Sequence, residues 1–244
     1  WLPHGLCFGA AHCDARRRLW VVGGGDSMLR GAICYSELHV LDLVNDLGSP
    51  SRTTSSPSRV GTEGGGEEST VAGWRAAGAL RVRRCGLALA SDARRDLLYL
   101  VGGYSGGEDY QATVESFDPN TGRGAALPPM AAARSGAAAS CGPDGALYVC
   151  GGSSDGSSAM ASCARIDPRE GRWQPLCPLP DPRAYVSGTF GLDGSLYVAG
   201  GHGWLQQMLP DVSAYDPRAD AWRPMPALQR PRANHALVML FGVN

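Results

Sequence analysis

The chain has 244 residues, of which 43% are hydrophobic, and its 22 basic residues are balanced by 23 acidic ones to a formal net charge of −1. This length and apolar content suffice for a large buried core. The balanced charge supplies neither the basic stripe that nucleic acid requires nor a polybasic patch for anionic lipid. The apolar run Ala236–Gly242 is far shorter than the roughly 20 residues of a membrane-spanning helix. We therefore expect neither nucleic acid nor a membrane as a partner.

Short apolar runs that end in a pair of glycines recur along the chain. Each run has four residues with many β-branched or aromatic side chains, as in Leu-Tyr-Leu-Val before Gly102. The pairs are Gly23-Gly24, Gly102-Gly103, Gly151-Gly152 and Gly200-Gly201. The last three pairs begin 49 residues apart, at positions 102, 151 and 200. Such runs indicate β-strands, and a constant period of this size indicates a repeat protein.

A second set of positions follows the glycine pairs at constant spacing. An Asp-Pro dipeptide begins sixteen residues after the first glycine of each of the last three pairs, at Asp118, Asp167 and Asp216. Six residues further on stand Trp173 and Trp222, with Gly124 in the same place in the second repeat. Helical periodicity is absent from the sequence, so we predict an all-β fold. A four-stranded sheet cannot cover both of its own faces, and neighbouring repeats should therefore supply each other's core.

The first repeat is much longer than the others. Gly23 and Gly102 are 79 residues apart, and most of the excess lies between Asp42 and Trp74. Residues 44–73 are rich in Ser, Pro, Gly and Glu, a composition that buries too little apolar surface to offset the entropy of ordering. We expect a disordered, low-complexity insertion between the third and fourth strands of this repeat. A neutral insertion and a phosphorylated docking loop are both open interpretations.

The last repeat carries the clearest family resemblance. Leu196–Gly201, the Tyr215-Asp216-Pro217 tripeptide and Trp222 resemble the kelch repeat, whose strand ends in Gly-Gly and is followed by an aromatic-Asp pair and a Trp. The tract Pro129–Gly136 is most similar to the kelch-like (BTB-kelch) group. The resemblance implies that residues 1–244 form a β-propeller with four-stranded blades around a channel.

The resemblance also implies a larger ring than four blades. We predict an inner strand before each glycine pair, and a fifth such strand follows Arg232; the five are Gly5–Ala11, Cys85–Ala90, Ser135–Ser140, Ala184–Phe190 and Ala233–Leu240. In kelch-like propellers a strand in this last position closes the ring by joining the first blade. We therefore expect further strands upstream of Trp1 and a ring of six blades, which would leave no sheet edge unpaired.

The eight cysteines include no C-x-x-C pair, and several lie in predicted strands. We interpret them as reduced core thiols, which places the protein in the cytoplasm or nucleus; a disulfide framework is the alternative. The five histidines show no structural-zinc spacing, and the sequence contains no nucleophile elbow or Walker loop. We expect no cofactor and no enzymatic activity. The remote alternative is a copper-radical oxidase of the kelch type, for which Tyr104, Tyr110, Tyr185, His202 and His235 are available.

The resemblance implies a ligand-binding rim. In kelch-like proteins the rim combines the residues that open each inner strand with the loop that follows each glycine pair, and Arg134-Ser135 matches the family's Arg-Ser pair. Arginines with interleaved aromatics are typical of interface hot spots, and the arginines favour an acidic peptide or phosphopeptide. Alternatively, each arginine pairs with an aspartate or carbonyl of a neighbouring blade. The predicted rim consists of Tyr104, Arg134, Ser135, Ser153, Arg183, Tyr185, His202, Trp204, Arg232 and Asn234.

Three functions fit this pattern, and the first is a non-catalytic protein-interaction propeller. Its most specific form is the substrate-recognition domain of a cullin-3 ubiquitin ligase adaptor, which requires BTB and BACK segments upstream. The second is a structural scaffold in a cytoskeletal, ciliary or other large assembly. The third is the copper enzyme. Fold alone does not choose among them.

Overall fold

The computed structural model describes residues 9–13, 16–25, 33–43, 73–107 and 109–239. In these ranges the chain forms four antiparallel sheets of four strands each, and the strands of every sheet are hydrogen-bonded in sequence order. We call each sheet a blade. The predicted all-β architecture of four-stranded blades is confirmed. The predicted insertion lies outside the described residues except for Gly73.

The blades follow one another along the chain. Blade 1 consists of β1 (Ala10–Cys13), β2 (Arg18–Val22), β3 (Glu37–Asp42) and β4 (Trp74–Ala79). Blade 2 consists of β5 (Ala88–Asp92), β6 (Leu97–Val101), β7 (Val114–Asp118) and β8 (Arg123–Leu127). Blade 3 consists of β9 (Ala138–Cys141), β10 (Leu147–Cys150), β11 (Cys163–Asp167) and β12 (Arg172–Leu176). Blade 4 consists of β13 (Ser187–Phe190), β14 (Leu196–Ala199), β15 (Val212–Asp216) and β16 (Ala221–Met225).

The inner strands β5, β9 and β13 begin three residues later than predicted. The reason is a left-handed residue near the start of each predicted strand: φ is 62° at Gly86, 62° at Gly136 and 53° at Tyr185. A left-handed residue interrupts the ladder, so the residue before it pairs only through an isolated bridge. For the first inner strand, residues 5–8 lie outside the described part of the chain.

The predicted fifth inner strand does not form over residues 233–239. The Asn234 N–H donates to the Tyr185 carbonyl at 3.0 Å, and the Leu237 N–H donates to the Ser187 hydroxyl at 2.9 Å. The segment therefore runs beside the start of blade 4 without a strand ladder of its own, because consecutive residues do not pair with a neighbouring strand. The six-bladed ring stays a prediction.

The core of the molecule lies between blades. Three clusters of buried side chains join blade 1 to blade 2, blade 2 to blade 3, and blade 3 to blade 4. In the first cluster Trp20 packs edge-on against Phe117, with ring centroids 5.5 Å apart. In the third, Tyr148 of blade 3 packs against Tyr215 of blade 4 at 6.4 Å. Successive blades thus bury each other's apolar faces, as expected from the sequence.

The repeated tryptophans tie the outer strands of blades 3 and 4 to the preceding blade. The Trp173 indole N–H donates to the Pro128 carbonyl at 2.8 Å, and the Trp222 indole N–H donates to the Cys177 carbonyl at 2.9 Å. Both acceptors lie just after the fourth strand of the blade before. A buried indole ring with its N–H satisfied contributes apolar contact without leaving an unpaired donor.

The glycine pairs join each blade to the next one near the channel. Gly102 has φ +61°, and a Cβ there would lie 2.1 Å from the Arg134 carbonyl oxygen. The Gly103 N–H donates to that same carbonyl at 2.9 Å. The bond recurs at the other three pairs, from Gly24 to Arg84, from Gly152 to Arg183 and from Gly201 to Arg232. Glycine is required because the backbone of the next blade occupies the space of a side chain.

The arginines that receive these bonds are held through both backbone and side chain. The Arg134 N–H donates to the Gln111 carbonyl of blade 2, whereas its guanidinium turns into blade 3. There Nη1 donates to the Gly151 and Ser162 carbonyls, both at 2.9 Å, and Nη2 donates to the Ser162 hydroxyl at 3.0 Å. Arg134 therefore links blade 2 to the segments that flank the second and third strands of blade 3.

Arg183 and Arg84 repeat the arrangement with different partners. Arg183 donates to the Asp211 carbonyl at 2.9 Å and to the Ser213 hydroxyl at 3.1 Å. Arg84 donates to the Gly102 carbonyl at 3.1 Å and forms a buried ion pair with Glu115. Desolvation lowers the pKa of all three guanidinium groups. These arginines bind carbonyls of their own blades, not aspartates of a neighbouring one.

Replacing Gly102 tests the interblade contact of the glycine pair. We expect Gly102→Ala to lower the free energy of unfolding by about 2 kcal/mol more than Gly107→Ala, because the new methyl group displaces the Arg134 carbonyl and breaks a hydrogen bond. Gly107 is a matched control, since its φ of +62° imposes the same backbone strain while a Cβ there would meet nothing within 4 Å. Urea denaturation measures both variants; equal losses would contradict the contact.

The buried Arg84–Glu115 pair yields a second prediction. Glu115→Ala should lower the free energy of unfolding by about 3 kcal/mol, because it leaves a buried guanidinium without a counter-charge. The double variant Arg84→Met with Glu115→Ala should be more stable than Glu115→Ala alone, since the uncompensated charge is gone. Denaturation of all members of this double-mutant cycle is the measurement, and additive losses would show that the two residues do not interact.

Candidate functional site

Two kinds of segment meet at one end of the blades. The first is the loop between the second and third strands, closed at its base by the bridges Tyr104–Tyr110, Ser153–Ala159 and His202–Met208 in blades 2 to 4. The second is the connection from the fourth strand of one blade to the first strand of the next. Antiparallel order brings both kinds to the same edge. We call this surface the loop face; such loops are where binding residues concentrate on a rigid scaffold.

Four of the ten predicted rim residues are buried, which corrects their predicted place on the rim. Arg134 is 5% exposed and Arg183 is 1% exposed, because their guanidinium groups bind backbone carbonyls inside their own blades. The Ser135 hydroxyl donates to the Gly86 carbonyl at 3.3 Å. The Ser153 hydroxyl donates to Asp155 at 3.0 Å and accepts the Gly156 N–H at 2.8 Å. The alternative prediction, pairing with a neighbouring blade, is wrong for the side chains of both arginines, because their guanidinium groups bind partners within their own blades.

Three predicted residues are partly buried and form aromatic pairs. The Tyr104 ring lies 5.9 Å from the Tyr110 ring, and the Tyr185 ring lies 5.6 Å from His202. Desolvation raises the pKa of the Tyr104 and Tyr185 hydroxyl groups, so both are neutral at physiological pH. Tyr185 also fills the space beside Gly136, where a Cβ would lie 2.7 Å from its ring. These rings therefore line the loop face, and their contacts with one another also stabilise its shape.

The remaining three predicted residues are exposed, namely Trp204, Arg232 and Asn234. Trp204 is 85% exposed and opens a short 3₁₀-helix, Trp204–Gln206. Arg232 differs from the other three arginines of its kind, because its guanidinium group is not enclosed by strands of the described residues. Its Nε donates only to the Arg230 carbonyl at 3.4 Å.

Two exposed apolar residues were not predicted. Leu205 is 85% exposed and Met208 is 53% exposed, and both share the blade 4 loop with Trp204. We call Trp204 and Leu205, together with Met208 at the base of the same loop, the apolar tip. The sequence did carry a signal, since the equivalent loops read Ser-Gly-Gly at 105–107 and Ser-Asp-Gly-Ser-Ser at 154–158. Compared with these two loops, the blade 4 loop has large apolar residues at positions 204 and 205 in place of small or polar ones.

The apolar tip is presented on an ordered backbone. The Gly203 N–H donates to the Gln207 carbonyl at 2.9 Å, and the Gln207 N–H donates to the Trp204 carbonyl at 3.2 Å. At the base of the loop the Leu209 N–H donates to the Gly201 carbonyl at 2.9 Å. Leu205 has φ +54°, a left-handed conformation that costs energy for a non-glycine residue. The loop thus holds a strained residue with its side chain in solvent.

A shallow cleft of about 380 Å³ opens elsewhere on the loop face, between blades 1 and 2. Ile33 and Cys34 line one side, and Arg83, Ser105 and Asp109 line the other. The Ser105 hydroxyl donates to the Asp109 carboxylate. The cleft therefore combines an apolar wall with a polar one.

The described part of the chain can be compared with the expectations for cysteines, metal ligands and membrane spans. The seven described cysteines are thiols, and four of them, Cys34, Cys85, Cys150 and Cys163, are buried. No group of three or more His, Cys, Asp or Glu residues is placed to hold a metal ion there. No helix in the same ranges is long and apolar enough to span a bilayer.

Comparison with known proteins identifies the repeats. Residues 134–180 and 187–229 each match a family model described as the kelch motif, and these segments contain blade 3 and blade 4. No curated protein matches the chain in sequence. The solved structure of YjhT, a bacterial kelch protein, matches with a TM-score of 0.71 at 14% identity, over 97% of this chain and 75% of that one.

Similarity at this level of identity concerns the fold alone. Neither comparison points to the BTB-kelch group in particular, so that finer resemblance stays a prediction. Two blades match the kelch motif, and all four blades share their architecture with a solved kelch propeller. The chain therefore has a β-propeller fold in which blades 3 and 4 match the kelch motif.

Proposed function

We propose that this propeller is a non-catalytic interaction module that binds a protein partner through the apolar tip of blade 4. The observation that carries the proposal is the exposure of Trp204 and Leu205, each 85% exposed on one short loop. Single exposed apolar residues are common on proteins, but three large ones within five positions of one loop expose an apolar patch to water, which is unfavourable. Such patches are typical of interaction sites.

Both the residue types of this loop and its hydrogen-bonded backbone favour binding. Tryptophan is among the residues most enriched in interface hot spots, because a rigid indole buries a large area at low entropic cost. The backbone hydrogen bonds around Gly203 and Gln207 hold the tip in one conformation before binding. A preorganised loop loses less conformational entropy on association, which increases affinity for a given contact area.

The convex tip defines the chemistry of its partner. Three projecting apolar side chains fit a folded protein with an apolar recess. An acidic or phosphorylated segment of the same partner would have Arg232 to contact, because that guanidinium is exposed whereas Arg134 and Arg183 are buried. The acidic preference therefore rests on Arg232 alone among the predicted rim arginines.

The cellular role of such a module depends on what it assembles with. A ligase receptor would co-purify with cullin-3 through BTB and BACK segments, whereas a scaffold would co-purify with structural proteins at equal stoichiometry. We place either role in the cytoplasm or nucleus, where the cysteines stay reduced. Affinity purification followed by mass spectrometry distinguishes the two roles.

Substitution within the tip tests the proposed interface. A partner recovered with the wild-type propeller and then purified should bind Trp204→Ala at least about 30-fold more weakly, the loss expected for a hot-spot residue. Leu192→Ala is the matched control, because Leu192 is 77% exposed in the turn between β13 and β14, at the opposite end of the same blade. Its affinity should equal that of the wild type.

Arg232→Ala in the same titration measures the acidic component separately. A loss that grows at low salt would support a charged contact. Equal binding by wild type, Trp204→Ala and Leu192→Ala, with all three folded by circular dichroism, would reject the apolar tip as the interface.

A further inference from the structure

Blade 3 brings two cysteines face to face. Cys150 is the last residue of β10 and Cys163 is the first residue of β11, and the two are register partners in the antiparallel ladder. Both are buried, at 1% and 4% exposure, in the cluster between blades 3 and 4.

The ladder geometry favours a covalent bond between them. The Gly151 N–H donates to the Ser162 carbonyl at 3.1 Å, so the hydrogen-bonded pair is the one next to Cys150 and Cys163. Pairs alternate in an antiparallel ladder, and the two cysteines therefore occupy a non-hydrogen-bonded site, where opposite Cα atoms are about 4.5 Å apart. Disulfides span Cα separations of about 4.4–6.8 Å. The separation expected at this site lies within that range, at its short end.

The fold does not require cysteine at these two positions. The equivalent pair is Val101 and Val114 in blade 2, and Ala199 and Val212 in blade 4, again as direct register partners. Those residues are apolar and cannot react. The cysteine pair is therefore a property of blade 3 among the three blades with the 49-residue period.

A buried cation lies beside the pair. In blade 2 the guanidinium of Arg84 has the carboxylate of Glu115 as its counter-charge, but the equivalent position in blade 3 is Ala164. Arg134 lies beside the cysteine pair, because its guanidinium group donates to the carbonyls of Gly151 and Ser162, the chain neighbours of Cys150 and Cys163. A thiolate at Cys163 would give this guanidinium the negative partner that it lacks.

Proton sharing within the pair agrees with that arrangement. The hydrogen bond from the Cys150 thiol lowers the pKa of Cys163, and the backbone N–H groups of Leu179 and Gly151 and the charge of Arg134 act in the same direction. The same sulfur–sulfur hydrogen bond raises the pKa of Cys150. Cys163 is the better nucleophile of the two, because the thiolate is the reactive form.

We propose that Cys150 and Cys163 are a redox modification site that forms a reversible cross-strand disulfide under peroxide. The Cys163 thiolate attacks one oxygen of hydrogen peroxide, which breaks the O–O bond and gives a sulfenic acid and hydroxide. The Cys150 sulfur then attacks the sulfenic sulfur and displaces its oxygen as a second hydroxide. The two thiol protons convert both hydroxides to water. Two thiols are oxidised, and one peroxide is reduced. This site does not depend on the apolar tip.

Peroxide treatment of the purified chain tests the site. After oxidation, the peroxide is removed, the chain is unfolded in denaturant, the remaining thiols are blocked with an alkylating reagent, and peptides are mapped by mass spectrometry without reduction. We expect a linked peptide pair that joins Cys150 to Cys163 with a loss of about 2 Da, the two thiol hydrogens, and its disappearance after treatment with dithiothreitol. The melting temperature should rise on oxidation, because the bridge constrains the unfolded chain.

Two variants copied from the other blades serve as controls. Cys163→Val and Cys150→Ala place in blade 3 the residues that stand in blade 4, and both should fold and show no change of melting temperature with peroxide. The proposal is overturned if both cysteines remain alkylatable after oxidation. It is overturned equally if the bridge that forms joins Cys34 to Cys85, whose sulfur atoms both lie near the Tyr104 carbonyl.

Discussion

A four-stranded sheet with two apolar faces is not stable alone, and everything in this molecule follows from how one blade covers the next. The link is a backbone hydrogen bond from a glycine N–H to the carbonyl of the arginine that opens the following blade. This bond requires glycine, because the Arg134 carbonyl lies where the Cβ of residue 102 would be. Around it, Trp20, Tyr99 and Tyr148 fill the space between neighbouring sheets. The glycine pairs recur in the sequence because each blade makes the same contact with the next one.

The arginines show how a repeat can use one residue for stability and leave recognition to another. Three of them are enclosed by their own blades, so their guanidinium groups bind groups inside the molecule and do not reach a partner. Recognition then falls to loops whose bases are fixed by bridges but whose tips are free to vary in sequence. The blade 4 loop has large apolar residues where the loops of blades 2 and 3 have mainly serine and glycine. Variation between otherwise equivalent loops is the kind of difference that gives a symmetric scaffold one distinct binding surface.

Sequence reasoning predicted what the period encodes. The strands before each glycine pair, the all-β class and the packing of blade on blade are all confirmed. It placed the inner strands three residues early, because the left-handed backbone at Tyr185 has no signature in that residue type. It also put Arg134 on the surface, since composition does not tell a guanidinium that meets solvent from one that meets carbonyl groups of its own blade. Trp204 was predicted, but Leu205 and Met208 required comparison of the loops with one another.

The tryptophan bonds have a geometric consequence. Trp173 and Trp222 attach blades 3 and 4 to their predecessors at the outer strand, while the glycine–arginine bonds attach the same blades at the inner strand. Two attachments at different distances from the propeller axis restrict the angle between neighbouring sheets. The number of wedges that complete a circle is then determined by the angle of a single pair, because every further repeat adds the same rotation. Blade number in such a molecule is therefore determined by the contacts between one pair of neighbouring blades.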